Sequence, residues 1–419
     1  MRLSKAAIKT SKTLGQTDSF INEFLVQAGK IKQFTAGLYA LDPLMTKAKH
    51  KLDDFIRYHL DRYDCAEVSF PLLQAKKYWT NSGRWEPYLN SGNTFITKGR
   101  SFEYFLSPTA EELSTEYMNS CINSYKDLDV IIYQIGAKFR DEIRVAGGML
   151  KTKEFSMMDA YSFDENYENM IKNYQKMYNC YMDIFNDLGL KVIPVKAIND
   201  MGGKVSDEFM IEDKTYGQDT ILYSEKDNLA FNTEVLENEE LKKSIEESYP
   251  GLDLSSLKEL KTIELGHMFQ NNTFYSTMMN GKFMAKNGKS EHYYNGCYGI
   301  GVSRLLTVLI IKSFEKYNKF VWNDKIAPFK LCLISLNDQK INEECEKIYK
   351  LFMDNGIEIL YDDRPLSIGN KINDNELNGV RYNMICGKNF AETGKIELED
   401  RTTNEKQYLT AEEIIKMFK

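Results

Sequence analysis

Apolar side chains recur along this chain with two different periods, and the alternation between them maps its elements. Leu44, Leu52, Phe55, Ile56, Leu60 and Tyr63 fall at helical spacing and predict a helix over 43–63. Met170, Tyr174, Met177, Tyr181, Phe185 and Leu188 form one stripe of a second helix over 166–188, with Gly189 as its C-cap. Between these helices, 66–71 reads as a short strand ended by Pro71, which cannot donate to a ladder. The unbroken run 130–135 reads as another strand. Strands followed by a helix, without βαβ alternation, predict an α+β domain on an antiparallel sheet.

The pattern changes after Trp322. It predicts strands over 329–336, 357–361, 382–386 and 395–398, and a helix over 341–353 with Ile341, Cys345, Ile348, Tyr349 and Phe352 inward. Thr410-Ala411-Glu412-Glu413 has the form of a capping box opening a last helix. Together these make a small α/β module of about 95 residues, an ordinary domain size. The expected division is 1–322 and 323–419, with the boundary near Trp322-Asn323-Asp324-Lys325.

Composition narrows the class without naming a function. A chain of 419 residues suggests two or three domains, and 42% hydrophobic with 27% charged residues argues for packed cores over disorder. The longest apolar run, Leu305-Leu306-Thr307-Val308-Leu309-Ile310-Ile311, is too short to span a bilayer, so a soluble protein with no membrane partner is expected. The basic start, Met1-Arg2-Leu3-Ser4-Lys5, lacks a long apolar segment and a cleavage signal, and reads as part of the mature protein. Seven cysteines without a C-x-x-C pair fit free thiols in a cytoplasmic location, and four histidines argue against a His-rich metal centre. A net charge of −7 does not advertise a nucleic-acid binder, yet a local basic surface suffices for one.

Four segments hold the candidate chemistry: Pro108-Thr109-Ala110-Glu111-Glu112, Phe139-Arg140-Asp141-Glu142-Ile143-Arg144 with Glu154-Phe155 downstream, Glu264-Leu265-Gly266-His267, and Cys297-Tyr298-Gly299-Ile300-Gly301-Val302-Ser303-Arg304. Arg140, Glu142 and Arg144 at alternate positions would share one strand face, and a guanidinium on a rigid strand can grip phosphate oxygens in a fixed fork. Taken alone, an Arg-x-Glu-x-Arg is more often a solvated ladder, a Gly-x-Gly-x-x-Arg more often a packing turn, and a buried Cys more often a small hydrophobe.

The segments weigh more together. The Arg-x-Glu strand, the loop ending in Glu-Phe and the late Gly-x-Gly-x-x-Arg resemble motifs 2 and 3 of class II aminoacyl-tRNA synthetases. The strand ending at Pro71 after a long helix resembles motif 1, the dimer element. Within that class the chain is most similar to bacterial-type prolyl-tRNA synthetases, through Phe139-Arg140-Asp141-Glu142-Ile143-Arg144, Asp159-Ala160-Tyr161-Ser162-Phe163, and Cys297-Tyr298-Gly299-Ile300-Gly301-Val302-Ser303-Arg304. Ser82-Gly83-Arg84-Trp85, Gly266-His267 and Asp362-Asp363-Arg364 also match. The similarity runs nearly end to end.

The resemblance implies a class II catalytic domain followed by an anticodon-binding domain, and a homodimer that uses ATP, L-proline and tRNA(Pro). Thr109, Glu111 and His267 would contact proline with Cys297 beside its ring, and Glu111 would accept from the secondary ammonium. Arg140 would hold the α-phosphate and the substrate carboxylate, and Glu142 would belong to the same nucleotide-binding and catalytic set. Phe155 would stack on adenine, and Arg304 would take the γ-phosphate end. Glu264 would hold Mg²⁺, which prefers carboxylate and phosphate oxygens. Arg144, Arg364 and Lys371 would contact tRNA, and no zinc is expected. The stretch 225–263 stands where longer relatives carry an editing domain, and reads as a linker or a lid with an acidic helix over 234–247.

Several positions depart from the family pattern. Ala110 stands where histidine is usual, Val145-Ala146-Gly147-Gly148 replaces a more basic loop, Lys153 replaces an arginine and Met158 a lysine. Lys204 and Asp207, in Gly202-Gly203-Lys204-Val205-Ser206-Asp207, replace small or histidine positions. Lysine is a point charge rather than a planar fork. Two other readings are a catalytically silent paralogue and an enzyme that loads an amino acid onto a carrier protein. Arg140 and Arg304 argue against the first, and the anticodon-like module argues against the second.

Overall fold

The computed structural model describes residues 1–10, 19–198, 205–227, 229–233, 239–249, 251–253 and 256–419. Its chain forms two compact units. One contains Met1–Phe55, Ala146–Lys151 and Leu306–Lys419, the other Ile56–Val145 and Thr152–Leu305. The first 55 residues therefore belong with the C-terminal module in compactness, a grouping that chain order did not suggest. Among the described residues, no helix is long and apolar enough to cross a membrane.

The second unit is built on a nine-stranded sheet. Its strands run in the order Val205–Glu212, Ile193–Ile198, Leu229–Asn232, Asp219–Ser224, Lys258–Asn272, Tyr294–Ile300, Glu154–Asp164, Val130–Phe139 and Cys65–Glu67. The neighbours pair antiparallel, except that Cys65–Glu67 runs parallel to Val130–Phe139 and Phe231 bridges Lys196 in parallel. The helix Tyr167–Asp187 packs on this sheet, burying Met170, Tyr174, Met177, Cys180, Tyr181, Ile184 and Phe185. The Asn166 side chain accepts from Asn169 N at its start, and Gly189 (φ +74°) follows its last turn.

One expectation fails here. The strand Val130–Phe139 ends at Phe139, so Arg140, Glu142 and Arg144 do not share a strand face. The backbone turns instead, with Glu142 N donating to Arg140 O at 2.8 Å. Beyond it the chain bends through Gly147 (φ +58°) and Gly148 (φ +65°), a left-handed pair that suits glycine.

The stretch 225–263 is more than a linker. It supplies the strand Leu229–Asn232 and the start of Lys258–Asn272, and the helix Glu239–Ser248 sets Ile245 against Phe231 in a small core of its own. The first residues of the expected helix, 234–238, and Gly202-Gly203-Lys204 lie outside the described residues.

In the first unit, a five-stranded sheet orders Ile359–Asp362, Leu331–Ser335, Tyr382–Cys386, Ile396–Asp400 and Glu405–Leu409. The first three are parallel and the last two antiparallel to their neighbours. The helix Gln339–Asp354 buries Ile341, Cys345, Ile348 and Phe352 on it. Thr410 and Glu413 form the reciprocal cap that opens Ala411–Phe418. Arg2 pairs with Glu346 and lies over the Tyr349 ring at 4.7 Å, tying the start of the chain to this module.

Candidate active site

All the expected substrate-contacting residues lie in the second unit, on neighbouring strands, the turns at their ends and the first turns of two helices. On one side, Thr109, Ala110 and Glu111 precede and open the helix Glu111–Asn119. Ala110 N donates to the Tyr161 hydroxyl at 3.0 Å, and that hydroxyl donates to Asp159 at 2.8 Å. Gln134 also donates to Asp159 at 2.9 Å, and Lys138 pairs with it at 2.6 Å. Strand side chains therefore hold the Thr109–Glu111 turn in place. The Thr109 hydroxyl donates to Glu111 Oε2, and the Cys297 thiol to Glu111 Oε1 at 3.3 Å. Burial, then the neighbouring carboxylate, pushes the Cys297 thiol well up, so it is a neutral donor.

On the other side, Arg140 lies over the Phe155 ring at 5.5 Å, and its Nε donates to Pro108 O at 3.4 Å. The backbone N of Arg140 donates to Lys153 O at 2.9 Å. Lys153 itself forms a close ion pair with Asp141, which occupies the charge that departs from the family pattern.

The third group comes from the paired strands Lys258–Asn272 and Val205–Glu212 and from the helix Val302–Tyr317. Arg304 Nη1 donates to Glu264 O at 2.7 Å and to Glu264 Oε2 at 3.2 Å. His267 Nδ1 lies 3.3 Å from Glu264 Oε1 and 3.7 Å from Glu208 Oε1, its Nε2 is 2.8 Å from Ser206 Oγ, and its ring stacks on Phe269. Residues three apart on a regular strand point to opposite faces. Here the pairing with Val205–Glu212 slips between Phe209 and Met210, because Phe209 faces Gly266 while Met210 faces Glu264. That irregularity turns Glu264 and His267 to one side.

Burial raises the Glu264 carboxyl, but hydrogen bonds and charge from His267 and Arg304 override it and hold the group at about 2. Glu208 moves the other way, to about 7, through burial and then the Glu264 charge. Glu208 and Ser206 were not among the expected site residues. Glu208 faces His267 directly across the strand pair, a relation visible only once the register is known.

Glu208, Glu264 and His267 each offer one ligand atom, and these atoms lie within 4.8 Å of one another. The ionised Glu264 carboxylate fits Mg²⁺, a hard ion that keeps several waters and binds through one or two carboxylates plus substrate phosphates.

Two family models match. The tRNA synthetase class II core domain (G, H, P, S and T) covers residues 95–313, and the anticodon binding domain covers 330–419. A proline–tRNA ligase of Wolbachia sp. subsp. Drosophila simulans (strain wRi) is 36% identical, over 100% of this chain and 99% of its own length. The chain belongs to the proline–tRNA ligase family. The family member of Ehrlichia ruminantium (strain Gardel) is 34% identical over the whole of both chains. That of Rickettsia bellii (strain OSU 85-389) is 36% identical over 92% of this chain and 90% of its own. Among solved structures, prolyl-tRNA synthetase from Cryptosporidium parvum with L-proline and AMP has the same fold, with a TM-score of 0.73 at 15% identity. The match covers 98% of this chain and 76% of that one.

The residues expected to meet tRNA stand differently from one another. Arg144 is exposed. In the C-terminal module of this proline–tRNA ligase family member, Arg364 is ion-paired with Asp362 at 2.6 Å and Asp374 at 2.8 Å, and keeps a partly exposed side chain. Lys371 corrects the expectation. It is 1% exposed, and its ammonium donates to Ser335 O at 2.8 Å, Ser335 Oγ at 3.1 Å and Asp362 O at 3.0 Å. An ammonium has three donors, so all are engaged inside the module.

Proposed function

We propose that this chain activates L-proline with ATP and transfers it to the 3′ end of tRNA(Pro). The observation that carries the reading is near-full-length similarity to proline–tRNA ligases, joined to a buried carboxylate, Glu111, with donors from Thr109 and Cys297. A secondary ammonium entering that pocket finds an acceptor fixed in place.

Activation needs no general base. The proline carboxylate oxygen attacks the α-phosphorus, the bond to the bridging oxygen breaks, and diphosphate leaves. Arg140 faces the α-phosphate and the carboxylate, and Arg304 faces the γ-phosphate end, so fixed cations meet the developing charge. Glu142 lies on the Arg140 turn, where it joins the nucleotide-binding set, and Phe155 offers adenine a ring. His267 and Cys297 border the proline ring. Glu264, with Glu208 beside it, would hold Mg²⁺, which neutralises phosphate charge. In the second step a terminal ribose hydroxyl of tRNA attacks the carbonyl carbon, loses its proton, and AMP leaves.

The division of labour places catalysis in 1–322, with 225–263 as a short insertion, and anticodon binding in 323–419. Arg144 would meet the acceptor end and Arg364 the anticodon. A homodimer is favoured by the exposed apolar side chains that follow Pro71, Leu72 and Leu73, which are 44% and 50% exposed. A cytoplasmic location accords with seven free cysteines. The test is aminoacylation of a tRNA(Pro) transcript: proline attached in an ATP-dependent manner is expected, and failure to charge any tRNA would overturn the reading.

A further inference from the structure

One buried cation outside the substrate-contacting set is tied to the proline side of the site. Arg84 lies between the helices Lys76–Asn81 and Trp85–Ser91, just after Gly83, whose φ of +77° turns the chain. The turn sends the guanidinium inward, leaving Arg84 only 7% exposed. Its Nη1 donates to Glu112 Oε1 at 3.0 Å and Tyr275 Oη at 2.6 Å, and reaches Glu111 Oε2 at 3.4 Å. Its Nη2 donates to the Tyr88 hydroxyl. The rings of Trp79, Tyr88 and Tyr275 enclose it at 5.2, 4.6 and 5.6 Å.

Two adjacent buried carboxyls thus share one cation, and like charges so placed resist ionising together. The surrounding donors decide which keeps its proton. Glu111 receives the Thr109 hydroxyl and the Cys297 thiol in addition to Arg84. Glu112 receives Ser82 and Arg84 on Oε1, while its buried Oε2 has no hydrogen-bond partner. The proton therefore belongs on Glu112 and the charge on Glu111. Burial raises both groups, but Arg84 and then the Thr109 hydroxyl bring Glu111 below its ordinary value, while Glu112 stays above.

We propose that Arg84 is a positioning residue for proline recognition, which fixes the Glu111 carboxylate in place and in its charged form. It acts through Glu111 and touches no substrate. The inference rests on the reading of Glu111 as acceptor for the secondary ammonium. The titratable groups facing Glu111 come from every side: Glu112 on its own helix, Arg84 and Tyr88 from the first turn and helix, Tyr161 and Cys297 from strands, and Tyr275 from the helix Phe274–Met278. Arg84 supplies the positive charge among them.

The test is ATP–diphosphate exchange as a function of proline and of pH for the wild type, Arg84→Gln, Arg84→Lys and Glu111→Gln. Removing one partner of a buried charge pair predicts a rise in proline KM of about 30-fold for Arg84→Gln, with ATP KM within about twofold. The loss should grow as pH falls, because without the cation Glu111 takes up its proton at higher pH. Arg84→Lys keeps the charge and should return the acid limb toward its wild-type position without restoring the full fork. An unchanged proline KM in Arg84→Gln, or equal losses for proline and ATP at every pH, overturns the proposal. If Arg84→Gln does not fold, Arg84→Lys decides, since a proline-selective KM rise supports the proposal and parallel rises overturn it. Glu111→Gln separates the two layers. Wild-type proline KM in that variant sinks the reading of Glu111 itself, whereas loss there with none in Arg84→Gln sinks the role of Arg84 alone.

Discussion

Arg304 donates to both the backbone carbonyl and the carboxylate of Glu264, at 2.7 Å and 3.2 Å, although the two residues are 40 positions apart. The pair ties the arginine to the strand Lys258–Asn272 beside His267. As the proposed contact for the γ-phosphate end, Arg304 would need little reorganisation when ATP binds.

Arg304→Ala and Arg140→Ala are each expected to cut ATP–diphosphate exchange by about 10³-fold or more, as loss of a phosphate-facing arginine does elsewhere. Far-ultraviolet circular dichroism and native mass should stay at wild-type values. Near-normal exchange in either variant would remove that residue from the catalytic set.

Asp164 offers a stability test away from the substrate. Burial pushes its carboxyl up to about 7, against hydrogen bonds from Ser162 and Asn173. The folded state therefore holds a proton that the unfolded chain releases above about pH 4. Its contribution to stability falls as pH rises from there to about 7, by at most about 1.4 kcal/mol per unit. Asp164→Asn should flatten that slope in urea titrations between these pH values. A wild-type slope kept by the variant would refute the assignment.

Much of the architecture was legible in the chain, for reasons that also explain the failures. The helix Tyr167–Asp187 announced itself because its buried face is apolar and its ends carry Asn166 and Gly189. The helix Ile368–Asn378 did not, because its buried residues are Lys371, Asn375 and Asn378, which leave no apolar stripe to read. The edge strand Glu405–Leu409 is exposed along most of its length and likewise carries no burial pattern. The candidate site residues Thr109, Glu111, Arg140, His267, Cys297 and Arg304 were singled out through motif resemblance. The links among Arg84, Glu112 and Tyr275 were not, because Arg84 meets Tyr275 across 191 residues. Alternation misled at Arg140–Arg144, since charged residues at every second position fit a turn as well as a strand.

The stretch 225–263 bears on how errors are handled. A pocket that differs by little between small apolar side chains discriminates by only about 10–200-fold per methylene, so alanine should be activated slowly. The stretch 225–263 contributes strands to the main sheet and one helix over a small core. Preformed alanyl-tRNA(Pro) given to the purified chain should therefore decay at its spontaneous rate. Accelerated deacylation would reveal a hydrolytic site elsewhere in the chain.

The exposed apolar pair Leu72 and Leu73 should be covered in solution. Light scattering at micromolar concentration is expected to give twice the chain mass, and Leu73→Lys to shift it toward one. A fully active monomer would contradict the dimer.

The central claim is proline activation at the Glu111 pocket, and amino-acid-dependent ATP–diphosphate exchange across all twenty amino acids tests it most directly. Fast exchange with proline, slow exchange with alanine and background rates with the rest are expected. Exchange with no amino acid, or faster exchange with another one, would contradict the account.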